Sequence, residues 1–547
     1  MTVIPPAQRH VTLVGSRLDD GWQRLMAHPR ARIAWTWGAP ALVMLVAILT
    51  RLVGLGHPHE LVFDETYYVK DAYTLSHLGY EGSWPADANL AFNAGHPEIY
   101  LDAPSFVAHP PIGKWIIALG LAVFGAADPF GWRIAVAICG ILLVLVILLL
   151  AKRLFRSTLL AVIAGGLLAI DGNAIVMSRV ALLDTMLALF ALLGAAAVLL
   201  DHDGNRRRLD DWMSWQDRST ARFAWGPVFW ARPWLVLAGV CFGIASGIKW
   251  SGLYFLAVFA VYALVSEIIA RHRAGVPFWF GGTVLRQGPV TFLLTVPVAL
   301  AVYVASWAGW FATGSNGTPG GYYRHWIEND GGQAWSGLLS WVPYDFQNWW
   351  HYQAAMYGYH VNEHTPHSYQ ANPLTWLFLV RPTSMYWHPN GNDAETILGV
   401  ANPLIWWAAT AAVFFLAFRM VRALVRWVRV VPISPAGEHR STVARDAFIL
   451  VGFGAGYLPW LLYLGRTVFQ FYTIAFEPFM VLALTAAIAT LIGTPADASS
   501  RRVAGFRAVG VFLVVCVLLS AFFLPIWTGA EIPRWFVTLH FWFPSWV

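Results

Sequence analysis

Two adjacent carboxylates stand in the string Phe63-Asp64-Glu65-Thr66-Tyr67-Tyr68, directly after the first long apolar run. Side by side at a membrane surface they repel each other and lose hydration, which raises the pKa of one of them. That suits a general base. The competing reading is the acidic first turn of a helix, where Asp and Glu are favoured by the backbone dipole. A second string, His109-Pro110-Pro111-Ile112-Gly113-Lys114-Trp115, fixes the chain as it enters a short helix, because proline is tolerated in a first helical turn. Lys114 then lies one turn in, near the lipid headgroups, where it either does chemistry or snorkels.

A third signal is a set of cations at the ends of apolar runs on the acidic side: Arg51, Arg133, Arg179, Lys249 and Arg466. An ionisable group there needs compensation for lost water and is a candidate for function. Several converging on one face, Lys114 among them, would cradle a phosphate, with arginine offering paired bonds. Any one alone is more often a snorkelling end residue. Asp184, five residues after Arg179, reads first as the partner of a nearby cation. His351, His360, His364 and His367 cluster with Glu363, a spacing able to hold a metal. Loop histidines seldom do so, and no metal is expected. Tyr352, Tyr359, His360 and Asn362 read better as a face for an acceptor peptide.

The elements that must position these groups are membrane helices. The 547 residues are 58% hydrophobic and 12% charged, about half the charge of a soluble domain. The mean hydropathy is +0.55. Apolar runs at 39–55, 131–151, 158–176, 181–200, 234–248, 250–268, 287–310, 402–424, 446–465, 472–493 and 506–526 predict an all-α polytopic protein of about eleven spans. The run Ile112–Phe124 is too short to cross and reads as an interfacial or re-entrant helix. The net charge of +6 does not imply nucleic acid. Its cations sit in short loops (Lys152/Arg153/Arg156, Arg206/Arg207/Arg208, Arg271/Arg273/Arg286, Arg422/Arg426/Arg429, Arg501/Arg502/Arg507), which the positive-inside rule places in the cytoplasm.

That assignment gives a cytoplasmic N-terminal segment 1–37, a transmembrane catalytic unit 38–526 and an extracytoplasmic aromatic tail 527–547. The long loops 56–130 and 311–401 fall outside the cell membrane; the first is acidic and carries the catalytic pair, the second is the acceptor side. Cys139, Cys241 and Cys516 all lie in apolar runs, so neither a disulfide framework nor a thiolate metal site is expected.

These motifs together resemble the protein O-mannosyltransferase family in its bacterial form. The resemblance rests on Phe63-Asp64-Glu65, His109-Pro110-Pro111-Ile112-Gly113-Lys114, Met177-Ser178-Arg179 with Leu182-Leu183-Asp184, and Gly247-Ile248-Lys249-Trp250-Ser251-Gly252-Leu253. Arg466 and Phe469-Gln470-Phe471-Tyr472 extend it, though they depart from the aromatic-His-Tyr form common in the family. The resemblance implies a membrane glycosyltransferase of the GT-C type, with the N-terminus cytoplasmic and the C-terminus extracytoplasmic. It implies Asp64 as base with Glu65 beside it, and maps the family's essential span-end arginines onto Arg51 and Arg133.

The implied donor is a polyprenyl-phosphate-mannose in the membrane lipid, and the implied acceptors are Ser/Thr hydroxyls of secreted proteins, met near the secretion translocon. A sugar phosphate already carries a good leaving group, so such an enzyme needs one base and fixed positive charge, and no cofactor. The alternative is another GT-C transferase moving arabinose or aminoarabinose to a glycan or lipid. A transporter would place its charges at mid-membrane, often in repeated halves, and no repeat is visible.

Overall fold

The computed structural model describes residues 17–215, 221–314, 320–428 and 437–547. Residues 1–16 of the N-terminal segment and Arg429 lie outside the described residues. Seven described helices are long and apolar enough to cross a membrane: Pro29–Leu52, Pro129–Phe155, Asp184–Trp215, Gly252–Ala274, Trp279–Ser306, Pro403–Arg426 and Ser499–Thr528. Thr158–Ile170 and Gly172–Arg179 make an eighth if they are taken as one span bent by 58°.

The expectation of about eleven spans is therefore corrected. The runs at 234–248 and 472–493 form helices of only 16 residues, Pro233–Ile248 and Glu477–Ile492, short of the roughly 20 needed to cross. The run at 446–465 leaves its helix at Tyr457 and tightens into the turn Leu458–Leu462. These helices stop beside Lys249, Arg466 and Gln470, where the chain becomes irregular. An apolar count cannot see where a helix breaks.

Burial separates the centre of the bundle from its rim. Asp184–Trp215 has 72% of its most apolar window buried, whereas Trp279–Ser306 has 22% and Ser499–Thr528 has 28%. The outer helices turn Leu293, Leu300, Val514 and Leu518 outward, which only a lipid solvent tolerates on this scale. The central helix packs against Pro129–Phe155, Pro233–Ile248 and Gly252–Ala274.

The helical reading missed one small sheet. Strands β1 (Thr383–Asn390), β2 (Asp393–Gly399) and β3 (Ile532–Pro533) pair antiparallel in that order. Gly391 and Asn392 make the β1–β2 turn, with Gly391 at φ 54°; Gly-Asn between strand-like runs is a hairpin signal. Because β3 follows the last long helix, the tail returns to the 311–401 loop. His57 Nε2 lies 2.8 Å from Gly529 O, so the first long loop, the hairpin and the tail share one end of the bundle. At the other end Arg502 Nε donates to Asp19 at 2.9 Å, tying down the first described helix, Arg17–Ala27.

Candidate active site

The site begins with a backbone that L-residues seldom adopt. Phe63 has φ 47°, and its ring offsets that strain by packing edge-on against His367, Phe469 and Phe471 at 5.9, 5.6 and 5.7 Å. The turn delivers Asp64 to the start of the helix Glu65–Leu78. The two carboxylates then meet opposite fates. Glu65 is fully buried; its Oε1 accepts from Arg133 Nε and Ala181 N at 2.8 Å, and its Oε2 from an Arg133 terminal nitrogen at 2.8 Å and Val62 N at 3.0 Å. The Asp64 carboxylate is half-buried and is held by no hydrogen bond or ion pair among the described residues. Lost hydration pushes its pKa up to about 6 despite the pull of the Lys249 ammonium, and the Asp184 charge adds to the rise.

Several cations expected to bind phosphate are committed to the protein. Arg133 directs its five N–H groups to Glu65 Oε1 and Oε2 and to the carbonyls of Leu55, Pro58 and Glu60. Arg51 ends the first span and donates to Ala169 O at 2.9 Å and Leu168 O at 3.2 Å, the carbonyls left open where the bent span breaks. Arg179 ends the bent span and returns the favour, donating to Val53 O at 2.8 Å and Gly54 O at 2.9 Å. The break between them admits only glycine at position 172, because a Cβ there would sit 2.0 Å from the Trp527 ring. Lys114 spends its three donors on Glu81 at 2.8 Å, His109 O at 3.1 Å and Asp71 at 3.3 Å. As expected, Pro110 and Pro111 are buried and lead into the helix Ile112–Phe124.

The other side of Asp64 is less committed. Lys249, at the break after Pro233–Ile248, pairs with Asp184 at 2.9 Å and lies 3.8 Å from the centre of the Tyr472 ring. A narrow cleft lined by Asp184, Ser251, Tyr254, Trp460 and Tyr472 opens beside this pair. Arg466 forms no ion pair among the described residues. It donates to His360 Nδ1 at 3.0 Å, and its Nε has no partner. Since Nδ1 accepts, His360 carries its proton on Nε2, 2.6 Å from Ala108 O. Burial and the Arg466 charge lower its pKa to about 4. His109 stacks on His360 at 5.0 Å and faces Tyr68 at 5.9 Å. Burial, with the charges of His360 and Lys249, holds it well below the usual histidine range. Its Nδ1 is buried without a partner.

The structure thus gathers Asp64, Asp184, Lys249, His109, His360 and Arg466 at one end, with Glu65, Arg133 and Arg179 behind them. The acceptor-face expectation needs correction at Tyr352, which is fully buried and accepts a hydrogen bond from Val107 N at 3.0 Å. Tyr359 and Asn362 are exposed, and Asn362 donates to Gly358 O within its own helix. Gln470 is buried and holds Trp376 O at 2.9 Å. Sequence reasoning did not single out Tyr68, Trp250 or Tyr472. Tyr68 follows Asp64 by one helical turn, a spacing that does put the two on one face. Among the described residues no three His, Cys, Asp or Glu side chains gather as a metal would need.

Comparison with known proteins bears on the family of the chain. The family described as dolichyl-phosphate-mannose-protein mannosyltransferase matches residues 41–313. The C-terminal four-transmembrane region of protein-O-mannosyltransferase matches residues 345–546. The polyprenol-phosphate-mannose–protein mannosyltransferase of Mycolicibacterium smegmatis strain MKD8 is 32% identical, with 93% of each chain covered. That of Corynebacterium glutamicum is 31% identical, covering 94% of this chain and 93% of its own. In fold, the chain is similar to the S. cerevisiae protein O-mannosyltransferase Pmt1–Pmt2 complex bound to the sugar donor. That likeness has a TM-score of 0.65 at 15% identity and covers 97% of this chain and 94% of the other. With its carboxylate pair, broken spans and full-length relatives accounted for, the chain belongs to the polyprenol-phosphate-mannose–protein mannosyltransferase family of membrane glycosyltransferases.

Proposed function

We propose that this chain transfers mannose from polyprenyl-phosphate-mannose to Ser and Thr hydroxyls of secreted or membrane proteins, with inversion, at the extracytoplasmic face. The observation that carries the reading is Asp64: a carboxylate with a raised pKa and no hydrogen-bond partner, beside the Lys249–Asp184 pair, in a chain whose full-length relatives bear that activity in their names. Asp64 takes the hydroxyl proton as the acceptor oxygen bonds to C1 of mannose. The C1–O bond to phosphate breaks, and its electron pair leaves with the phosphate on the carrier lipid. That departing group is already a stabilised anion, so no carboxylic acid has to protonate it as in a glycosidase.

Lys249 has N–H donors beyond the one given to Asp184, and Arg466 has an unpartnered Nε. These two receive the growing phosphate charge. No metal enters the scheme. Glu65, Arg133, Arg179 and Arg51 are positioning residues that hold the Asp64 turn against two spans. The catalytic unit is 38–526, with the 56–130 loop supplying the base and the 311–401 loop the acceptor side, where chains leaving a translocon would dock. Two contacts support opposite ends for the termini: Gly529 meets the first loop, and Asp19 meets Arg502. The arginine-rich turns at the Asp19 end favour the cytoplasm there.

The test is purified chain given polyprenyl-phosphate-mannose or an arabinosyl carrier, with Ser/Thr-rich peptide or glycan acceptors, read by intact mass. Hexose increments on the peptide are expected with the mannosyl donor alone. Pentose transfer to the glycan would replace this reading with the arabinose one.

A further inference from the structure

The span ends opposite Asp64 enclose a cavity of about 1260 Å³, above the roughly 300–1,000 Å³ of small-molecule pockets. The helix Pro129–Phe155 measures the separation: Arg133 in its first turn holds Glu65, and Phe155 at its end lines the cavity. From Arg133 to Phe155 the usual helical rise puts the two sites about 33 Å apart.

The walls are apolar and aromatic, with Trp22, Trp35, Phe155, Phe415, Phe418 and Phe506 among them. The charges are one-sided: Arg156, Arg419, Arg422, Arg445, Arg501 and Arg502 face Asp19 and Asp497. Arg502 pairs with Asp19 and Arg501 with Asp497. Arg419 and Arg445 share the single carboxylate of Asp446, at 3.0 and 2.9 Å. Arg156 and Arg422 form no ion pair among the described residues.

Inner-loop arginines ordinarily point into water, as the charge bias of membrane proteins requires. Here several lie over the cavity's own rings: Arg445 is 4.9 Å from Phe155, Arg502 5.3 Å from Phe506 and Arg419 5.5 Å from Phe415. These three spend donors on Asp446, Thr490, Asp19 and Gly493 O, whereas the Arg156 and Arg422 side chains, with no hydrogen bond or ion pair among the described residues, keep theirs for an oxyanion. Surplus positive charge walled by hydrocarbon is the complement of one molecule class: an amphiphile with an anionic phosphate head.

We propose that this cavity binds an anionic phospholipid of the inner leaflet, its phosphate at Arg156 and Arg422 and its acyl chains along Phe155, Phe415 and Phe418. The site is separate from the sugar-transfer site and does not depend on the function proposed for it.

The experiment is native mass spectrometry of the full chain purified in detergent with added phosphatidylglycerol or phosphatidylcholine. Wild-type chain retains one phosphatidylglycerol, and Arg156→Gln/Arg422→Gln binds it about 5-fold more weakly for each arginine removed. Asp64→Asn retains the lipid as wild type does. Equal retention by the double variant, or equal retention of phosphatidylcholine, overturns the proposal. So does displacement by inorganic phosphate, which would mean a simple anion site, or by polyprenyl phosphate, which would mean a carrier site. Should the double variant fail to fold, thermal unfolding of wild type in vesicles of either lipid decides: a higher Tm with phosphatidylglycerol supports the site, and equal Tm values overturn it.

Discussion

Asp64 and Glu65 are neighbours in the chain and opposites in the structure. Glu65 sits in a region where most donors are spent within the protein: Arg133, Arg179 and Lys114 give theirs to carboxylates and carbonyls, and Arg51 gives its terminal nitrogens to carbonyls at a helix break, its Nε alone left over. Asp64 faces a region where capacity is left over: a free carboxylate, an orphaned Arg466 Nε, an unpartnered His109 Nδ1 and a lysine resting on a tyrosine ring. Buried charge that is fully paired makes a frame, while buried charge left incomplete can be finished by a substrate. Residue type does not separate the two. Satisfaction does.

The contrast can be broken most directly at Asp64. Asp64→Asn should lower transfer by about 10³-fold, the scale of a lost general base, with unchanged yield and unfolding temperature; near-normal turnover in membranes would remove Asp64 from the mechanism. Arg133→Ala should act the other way round. Leaving Glu65 buried and alone costs about 3–5 kcal/mol, read as a lower Tm and poor yield; a stable variant that has only lost donor affinity would return Arg133 to the phosphate site. Arg466→Gln should raise KM for the carrier about tenfold, consistent with one charged hydrogen bond, and leave Tm within a degree or two.

The pH profile sharpens the comparison further. As the proposed base Asp64 would work only when ionised, and its pKa is raised to about 6, so kcat/KM should rise with pH through 6 and then level; an acid limb near 4 would show an ordinary solvated carboxylate. The smallest effect belongs to Tyr352→Phe. It loses the bond from Val107 N, about 1 kcal/mol of stability, and should leave the KM for acceptor peptide unchanged, whereas a raised KM would restore Tyr352 to the acceptor face.

The carboxylate pair, the His-Pro-Pro string and the Asp184–cation pairing were legible because each is local or nearly so. Which cations remain available was not. Arg51 and Arg466 look alike as span-end residues, yet one caps carbonyls exposed by a bend at residue 171, and the other reaches an imidazole 106 positions away. Such partners depend on where helices break. The span count failed for the same reason, since 234–248 and 472–493 are apolar throughout but end at the site. The Gly391-Asn392 turn was readable and was passed over because aromatic, proline-rich surroundings suggested a loop lying on the membrane.

His360 makes the site end of the molecule acid-labile. The imidazole can receive the Arg466 N–H only while uncharged, and its pKa of about 4 in the fold compares with roughly 6.5 for a free histidine. Between those values the unfolded chain takes up a proton that the native one refuses, so falling pH drains up to about 1.4 kcal/mol of stability per unit. Below about 4 the ring charges, two cations stand face to face, and the hydrogen bond that Arg466 gives to His360 is lost.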